Sequence, residues 1–178
     1  MTAIAGVVHK GKVYLGGDSA GVAGYSMQTR SDPKVFVNND FVIGFTSSFR
    51  MGQILQYNFT PPSPYEGEDG LEYMIRRFVP AVKQALKDGG WATTDDGRDL
   101  GGTFLVGWRG VLYYIDSDYQ VARMVHDFAA CGCGEDMALG SLYSTPKTMK
   151  PEDRLVLALS AAAEFSAGVR PPFAVVSA

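Results

Sequence analysis

A β-rich block followed by a pair of helical segments occurs twice along this chain, and that duplication narrows the architectures open to it. In the first block, residues 2 to 8 read TAIAGVV, HKGK follows with a turn glycine at Gly11, and VYLGGDS resumes the apolar pattern at Val13. This predicts a β-hairpin that begins with the first residues. After a glycine-rich bend at Gly21 to Gly24, shorter strands are expected in YSMQTR, KVFVNN and DFVIGFT. The last two join around Asn38, Asn39 and Asp40, residue types that tolerate the left-handed backbone of tight turns. From Ser47 the period changes: Met51, Ile54, Leu55 and Asn58 stand at helical spacing behind a serine N-cap, predicting a helix over about 48–57. TPPSPYEGEDG is a loop. In GLEYMIRRFVPAVKQALKDGG, Leu71, Met74, Ile75, Phe78, Val82 and Leu86 form one stripe, with a kink expected at Pro80 and a stop at Gly89.

The second block follows an exposed connection, residues 90 to 100. GTFLVGWRGVLYYIDSDYQVARMV gives three antiparallel strands with turns at Arg109-Gly110 and Ser117-Asp118, GEDMALGSLYS and EDRLVLALSAAAEFSAGV give two helices, and FAVVS closes as a strand. Two such halves pack most simply as face-to-face antiparallel sheets with helices outside, an α+β, four-layer αββα sandwich in one domain spanning 1–178. A chain of 178 residues buries roughly two-thirds of its unfolded surface, enough for a core without disulfide or metal.

Charge and cysteine usage exclude several classes. A net charge of -3 and a pI near 5.3 supply no basic field for nucleic acid. No apolar run reaches membrane-spanning length and no leader pattern opens the chain, so neither a membrane nor secretion is expected. Cys131 and Cys133 are poorly placed for a relaxed disulfide with each other, which points to the reducing cytoplasm. The two histidines, His9 and His126, do not recur at a ligand spacing near the cysteines, and no metal or cofactor is expected.

Three residues carry chemistry once the N-terminus itself is treated as a reagent: Thr2 behind the initiator Met, Asp18 in LGGDSAG and Lys34 in SDPKVF, each sixteen positions from the next. With these in order, and with a GFT strand end entering a helix, the run VLYYIDSD and the turn ACGCG opening a helix, the chain resembles the proteasome β-subunit family over nearly its whole length, especially its simple bacterial members. The resemblance implies an N-terminal-nucleophile hydrolase fold and a threonine endopeptidase. Thr2 would become the first residue after Met removal, with its hydroxyl as nucleophile and its own α-amine as base. An amine with a pKa of about 7.7–8.0 can take that proton near neutral pH. Lys34 would tune both groups and Asp18 would hold the lysine charged, a Thr-N-terminus variant of the serine triad.

By the same resemblance the oxyanion donor is the backbone N–H at Ser48, where the family has glycine. Cys133 stands where the family has serine, and Ser166 completes the auxiliary set. Ala163 falls at the position of a family aspartate, with Glu164 beside it. The pocket for the residue before the scissile bond would be formed by Gly21, Asp32, Thr46 and Arg50, a set of mixed charge. The resemblance also implies a homo-oligomeric ring or stacked rings, a polypeptide substrate and an AAA+ unfoldase or cap. Two other readings fit the same residues: an inactive scaffold that keeps Met1, and an amidase acting on a small amide.

Overall fold

The computed structural model describes residues 1–91, 93–95 and 98–178. In chain order the first half contains β1 (Ala3–His9), β2 (Lys12–Gly17), β3 (Ala20–Ala23), β4 (Ser26–Thr29), β5 (Val35–Asn38), β6 (Phe41–Phe45), α1 (Phe49–Tyr57), α2 (Gly70–Tyr73), a π-helical turn (Met74–Phe78) and α3 (Val79–Asp88). The second half contains β7 (Thr93–Asp95), β8 (Arg98–Leu100), β9 (Phe104–Trp108), β10 (Val111–Ile115), β11 (Val121–Arg123), β12 (Phe128–Gly132), α4 (Glu135–Ser144), α5 (Pro151–Phe165) and β13 (Ala174–Ser177).

Two antiparallel sheets stack, one in the order β12-β1-β2-β13 and the other β11-β10-β9-β6-β5. Their hairpins close on turns with positive φ at both central residues, Lys10-Gly11 and Arg109-Gly110, the backbone that matches strand twist. Along β1 the side chains alternate: Ile4 enters the layer between the sheets with Leu15, Val35, Val42 and Leu105, whereas Ala3, Ala5 and Val7 face Leu142, Leu155 and Leu159 of α4 and α5. A third, aromatic layer lies under the first helical pair, where Phe41 stacks on Trp108 at 5.2 Å and Tyr73 lies 4.4 Å from the same indole. The result is the expected αββα sandwich.

Four local expectations are corrected. The glycine-rich bend is a hairpin: β3 pairs with β4, Gly21 opposite Gln28, and only Gly24 takes a left-handed φ, of 58°. The connection over 90–100 contains the ladder β7–β8, with Thr94 opposite Asp99, while Ala92, Asp96 and Gly97 lie outside the described residues. Of ACGCG, read as a glycine turn, the first three residues belong to β12, which pairs with β1; after Phe128 its side chains are small and give no alternation to read. The long helix runs through a π turn before Pro80, and its extra residue rotates the stripe, so Tyr73 is buried while Ile75 is 51% exposed. Among the described residues no helix is long and apolar enough to cross a membrane.

Gly52 of α1 packs directly on a ring of the sheet. A Cβ there would stand 2.2 Å from Cε1 of Phe45. Gly52→Ala is therefore expected to lower unfolding free energy by about 1–3 kcal/mol, the usual cost of overpacking. A urea titration showing an unchanged midpoint would contradict that packing.

Candidate active site

Strand register brings Thr2, Asp18 and Lys34 together. β1 pairs with β2 so that Ile4 faces Gly17, which sets Asp18 beside Ala3, the neighbour of Thr2. The second sheet delivers Lys34 immediately before β5. Gly17 permits this approach, since a Cβ there would stand 3.1 Å from Val35 Cγ1 and 3.4 Å from Lys34 Cβ.

The Lys34 ammonium donates to Thr2 Oγ1 at 2.9 Å and to Asp18 Oδ1 at 2.8 Å. Asp18 is saturated: Oδ1 also accepts from the Ala3 amide at 3.0 Å, and Oδ2 accepts from the amides of Ala20 at 2.8 Å and Arg170 at 3.2 Å. The Lys34 and Asp18 side chains are 1% and 0% exposed. Such a pair is held by its surroundings, because desolvation offsets most of its mutual attraction. Burial lowers the Lys34 pKa below the ordinary lysine value, opposed by the Asp18 charge and hydrogen bond and by Cys133, and reinforced by the charge of Arg30.

On the other side of Thr2, its backbone nitrogen donates to Cys133 Sγ at 3.2 Å, and that sulfur lies 3.4 Å from the Thr2 carbonyl oxygen and 3.3 Å from Ser166 Oγ. Cys133 thus contacts the atom that becomes the α-amine if Met1 is removed, and Ser166 stands behind it on the sulfur. Glu164 is exposed and has no hydrogen bond to Ser166 among the described residues. Met1 lies at the mouth: its carbonyl accepts from Thr2 Oγ1, and its side chain packs on Gly168, where a Cβ would stand 2.2 Å from Met1 Cβ.

A cavity of about 280 Å³ opens beside Thr2 between the β3–β4 hairpin and the turn leading into α1. Gly21 and Thr46 are among its lining residues. Asp32 and Arg50 are not: Asp32 grips Arg30 through two hydrogen bonds, and Arg50 Nη2 donates to the Gly89 carbonyl at 2.8 Å. Arg30 and Phe49 line the cavity instead, and the sequence reading missed both. Neither carries a sequence signal for this role: Arg30 follows the fully exposed strand β4, and Phe49 is the first residue of α1.

The Ser48 position also differs from expectation. Its N–H donates to the Thr46 carbonyl at 2.6 Å across Ser47, whose φ of 64° is a glycine-like backbone held by a serine. Ser48 is instead the N-cap of α1, its hydroxyl accepting from the Arg50 amide at 3.0 Å. The Ser47 N–H has no partner among the described residues. No group of three or more His, Cys, Asp or Glu side chains able to hold a metal occurs among the described residues.

No family model and no curated protein sequence matches the chain. Solved structures do. BPH of Thiobacillus denitrificans superposes with a TM-score of 0.81 at 20% identity, covering 99% of this chain and 97% of the other. The chain has the N-terminal-nucleophile hydrolase fold. BPH in complex with epoxomicin matches at a TM-score of 0.80 and 20% identity, covering 99% of this chain and 98% of that one. HslV of Trypanosoma brucei matches at 0.69 and 21%, again covering 99% and 98%. The shared fold extends over 99% of the chain.

Proposed function

We propose that the chain is a threonine endopeptidase whose nucleophile is Thr2 after removal of Met1. The observation that carries this reading is the buried Lys34 ammonium set between the Thr2 hydroxyl and Asp18 at the edge of a cavity. A lysine on the outside of a protein costs nothing to keep charged, whereas this one is buried and aimed at a hydroxyl, an arrangement with a chemical use. The α-amine of Thr2 takes the Oγ1 proton as Oγ1 attacks the peptide carbonyl. The tetrahedral oxyanion collapses to an ester on Oγ1 while the amine returns the proton to the leaving nitrogen. Water, deprotonated by the same amine, then releases the acid.

The Ser47 N–H is the donor that the turn leaves open for the oxyanion, with Ser48 joining only when its bond to Thr46 breaks. Cys133 and Ser166 orient the amine. The reading extends to a homo-oligomeric ring or stacked rings in the cytoplasm, served by an AAA+ unfoldase or cap, and the whole-chain likeness to HslV and BPH supports it. The test is hydrolysis of an unfolded polypeptide by the Met-free chain and by a chain carrying one unremovable residue before Thr2. The first is expected to cleave and the second to be inert; equal activity in both would exclude the amine as base.

Alkaline pH separates activity from stability. Because the folded pKa of Lys34 lies below the 10.5 of an ordinary lysine, the unfolded chain binds more protons between those values, and the lysine's contribution to stability rises with pH across that window. Hydrolysis is expected to fall across the same window, as Lys34, facing Asp18, Arg30 and Cys133, loses the charge that acts on Thr2. A kcat/KM profile flat to pH 10.5 would remove Lys34 from the chemistry.

A further inference from the structure

Arg30 is the one charged side chain of the cavity that this chemistry leaves unused. Its stem crosses Gly21, where a Cβ would stand 2.7 Å from Arg30 Cδ and 3.1 Å from Cγ, so a larger residue at 21 would displace it. Its guanidinium lies over the Phe49 ring, 3.8 Å from the centroid, and Nε and Nη2 donate to the two Asp32 oxygens at 2.8 and 2.7 Å. Seat, ring and carboxylate hold the group in one place. A guanidinium has five N–H donors and Asp32 engages two of its nitrogens, leaving donors for another acceptor. The Arg30 side chain is 36% exposed and lines the cavity.

The charge of the cavity wall has one sign. Arg30 and Lys34 line it, 3.8 and 5.6 Å from the centroid of the Phe49 ring, and among the described residues no Asp or Glu lines it. Asp18 is buried beneath Lys34, whereas Asp32 is a half-exposed partner of Arg30 outside the cavity lining. Lys34 is engaged by Thr2 and Asp18, so Arg30 is the cation left to meet a ligand. We propose that the cavity selects an acidic residue, Asp or Glu, on the N-terminal side of the scissile bond, with Arg30 receiving its carboxylate. The inference rests on the peptidase reading and adds a substrate class to it. A basic residue there would face two cations, with no acid among the described lining residues.

The same carboxylate would act back on the nucleophile. Arg30 is among the groups that lower the proton affinity of Lys34. An anion at Arg30 offsets that field and helps keep Lys34 charged, so the preference is expected in kcat as well as KM.

Three fluorogenic peptides that differ only in Glu, Leu or Lys before the cleaved bond test this. The Glu peptide is expected to exceed Leu in kcat/KM by about tenfold or more, the scale of a charge-assisted hydrogen bond, and Lys by more still. In Arg30→Gln the Glu-to-Leu ratio falls towards one, and Arg30→Lys, which keeps the charge without the fork, retains part of it. Peptide epoxyketones bearing Glu or Leu give the same ratio as rates of adduct formation where turnover is slow. A wild-type preference for Leu or Lys, or a Glu preference that survives Arg30→Gln, overturns the inference while leaving a peptidase. Absence of both cleavage and adduct overturns the peptidase reading itself.

Discussion

Thr2→Ala is expected to abolish peptide hydrolysis, with turnover reduced by about a thousandfold or more, and to leave the fold intact. The loss is large because the substitution removes the attacking oxygen; what remains is the catalysis that binding and an oxyanion donor supply without a nucleophile. The structural effect is small because Thr2 keeps its place at the start of β1, and Lys34 loses one of two acceptors but retains Asp18. Stability is expected to change by about 1 kcal/mol, the usual value of one hydrogen bond. Thr2→Ser, which keeps the hydroxyl and the α-amine, is expected to retain measurable hydrolysis. Circular dichroism and a peptide assay on both variants decide the matter, and turnover in Thr2→Ala at the wild-type rate would exclude Thr2 as nucleophile.

Lys34→Ala is expected to act on stability and activity together. It strands the Asp18 carboxylate, whose side chain is 0% exposed, without its counter-ion. Breaking one side of a buried pair costs about 3–5 kcal/mol, a large fraction of the stability of a domain this size. The Ala3, Ala20 and Arg170 amides that bond Asp18 limit the damage without replacing the charge. Hydrolysis by the molecules that remain folded is expected to drop by about a hundredfold or more, since the Thr2 hydroxyl loses the adjacent cation. Urea unfolding gives the first number and a peptide assay at low denaturant gives the second. A variant as stable as the parent would show that the pair is not the buried contact described above.

The layer order was legible from simple patterns: β1 and β2 are apolar runs on either side of a turn, α1 and the stretch from α2 to α3 repeat at helical spacing, and the hairpin turns carry Gly11 and Gly110. The Thr2, Asp18 and Lys34 set was legible from spacing and resemblance, and strand register puts the three within hydrogen-bond reach. What escaped reading depended on contacts between distant segments. β12 is recognisable only from its partner β1, since FAACG has no alternation and only small residues after Phe128. The π turn is a response to packing and to Pro80 that no stripe of residues announces. Asp32 was assigned to the pocket by resemblance alone, and the resemblance did not show that Arg30, which Asp32 holds, is the residue that lines it. At Ser48 the residue type said nothing about an N–H already turned onto Thr46.

The central claim is that Thr2 is an N-terminal nucleophile, and intact mass before and after incubation with a peptide epoxyketone tests it most directly, because that reagent bonds to the hydroxyl and the α-amine of one residue together. The expected result is a chain lacking Met1 that gains one adduct per subunit, with none in Thr2→Ala. A chain that keeps Met1 and takes no adduct would contradict the account and leave a scaffold that carries the fold without the chemistry.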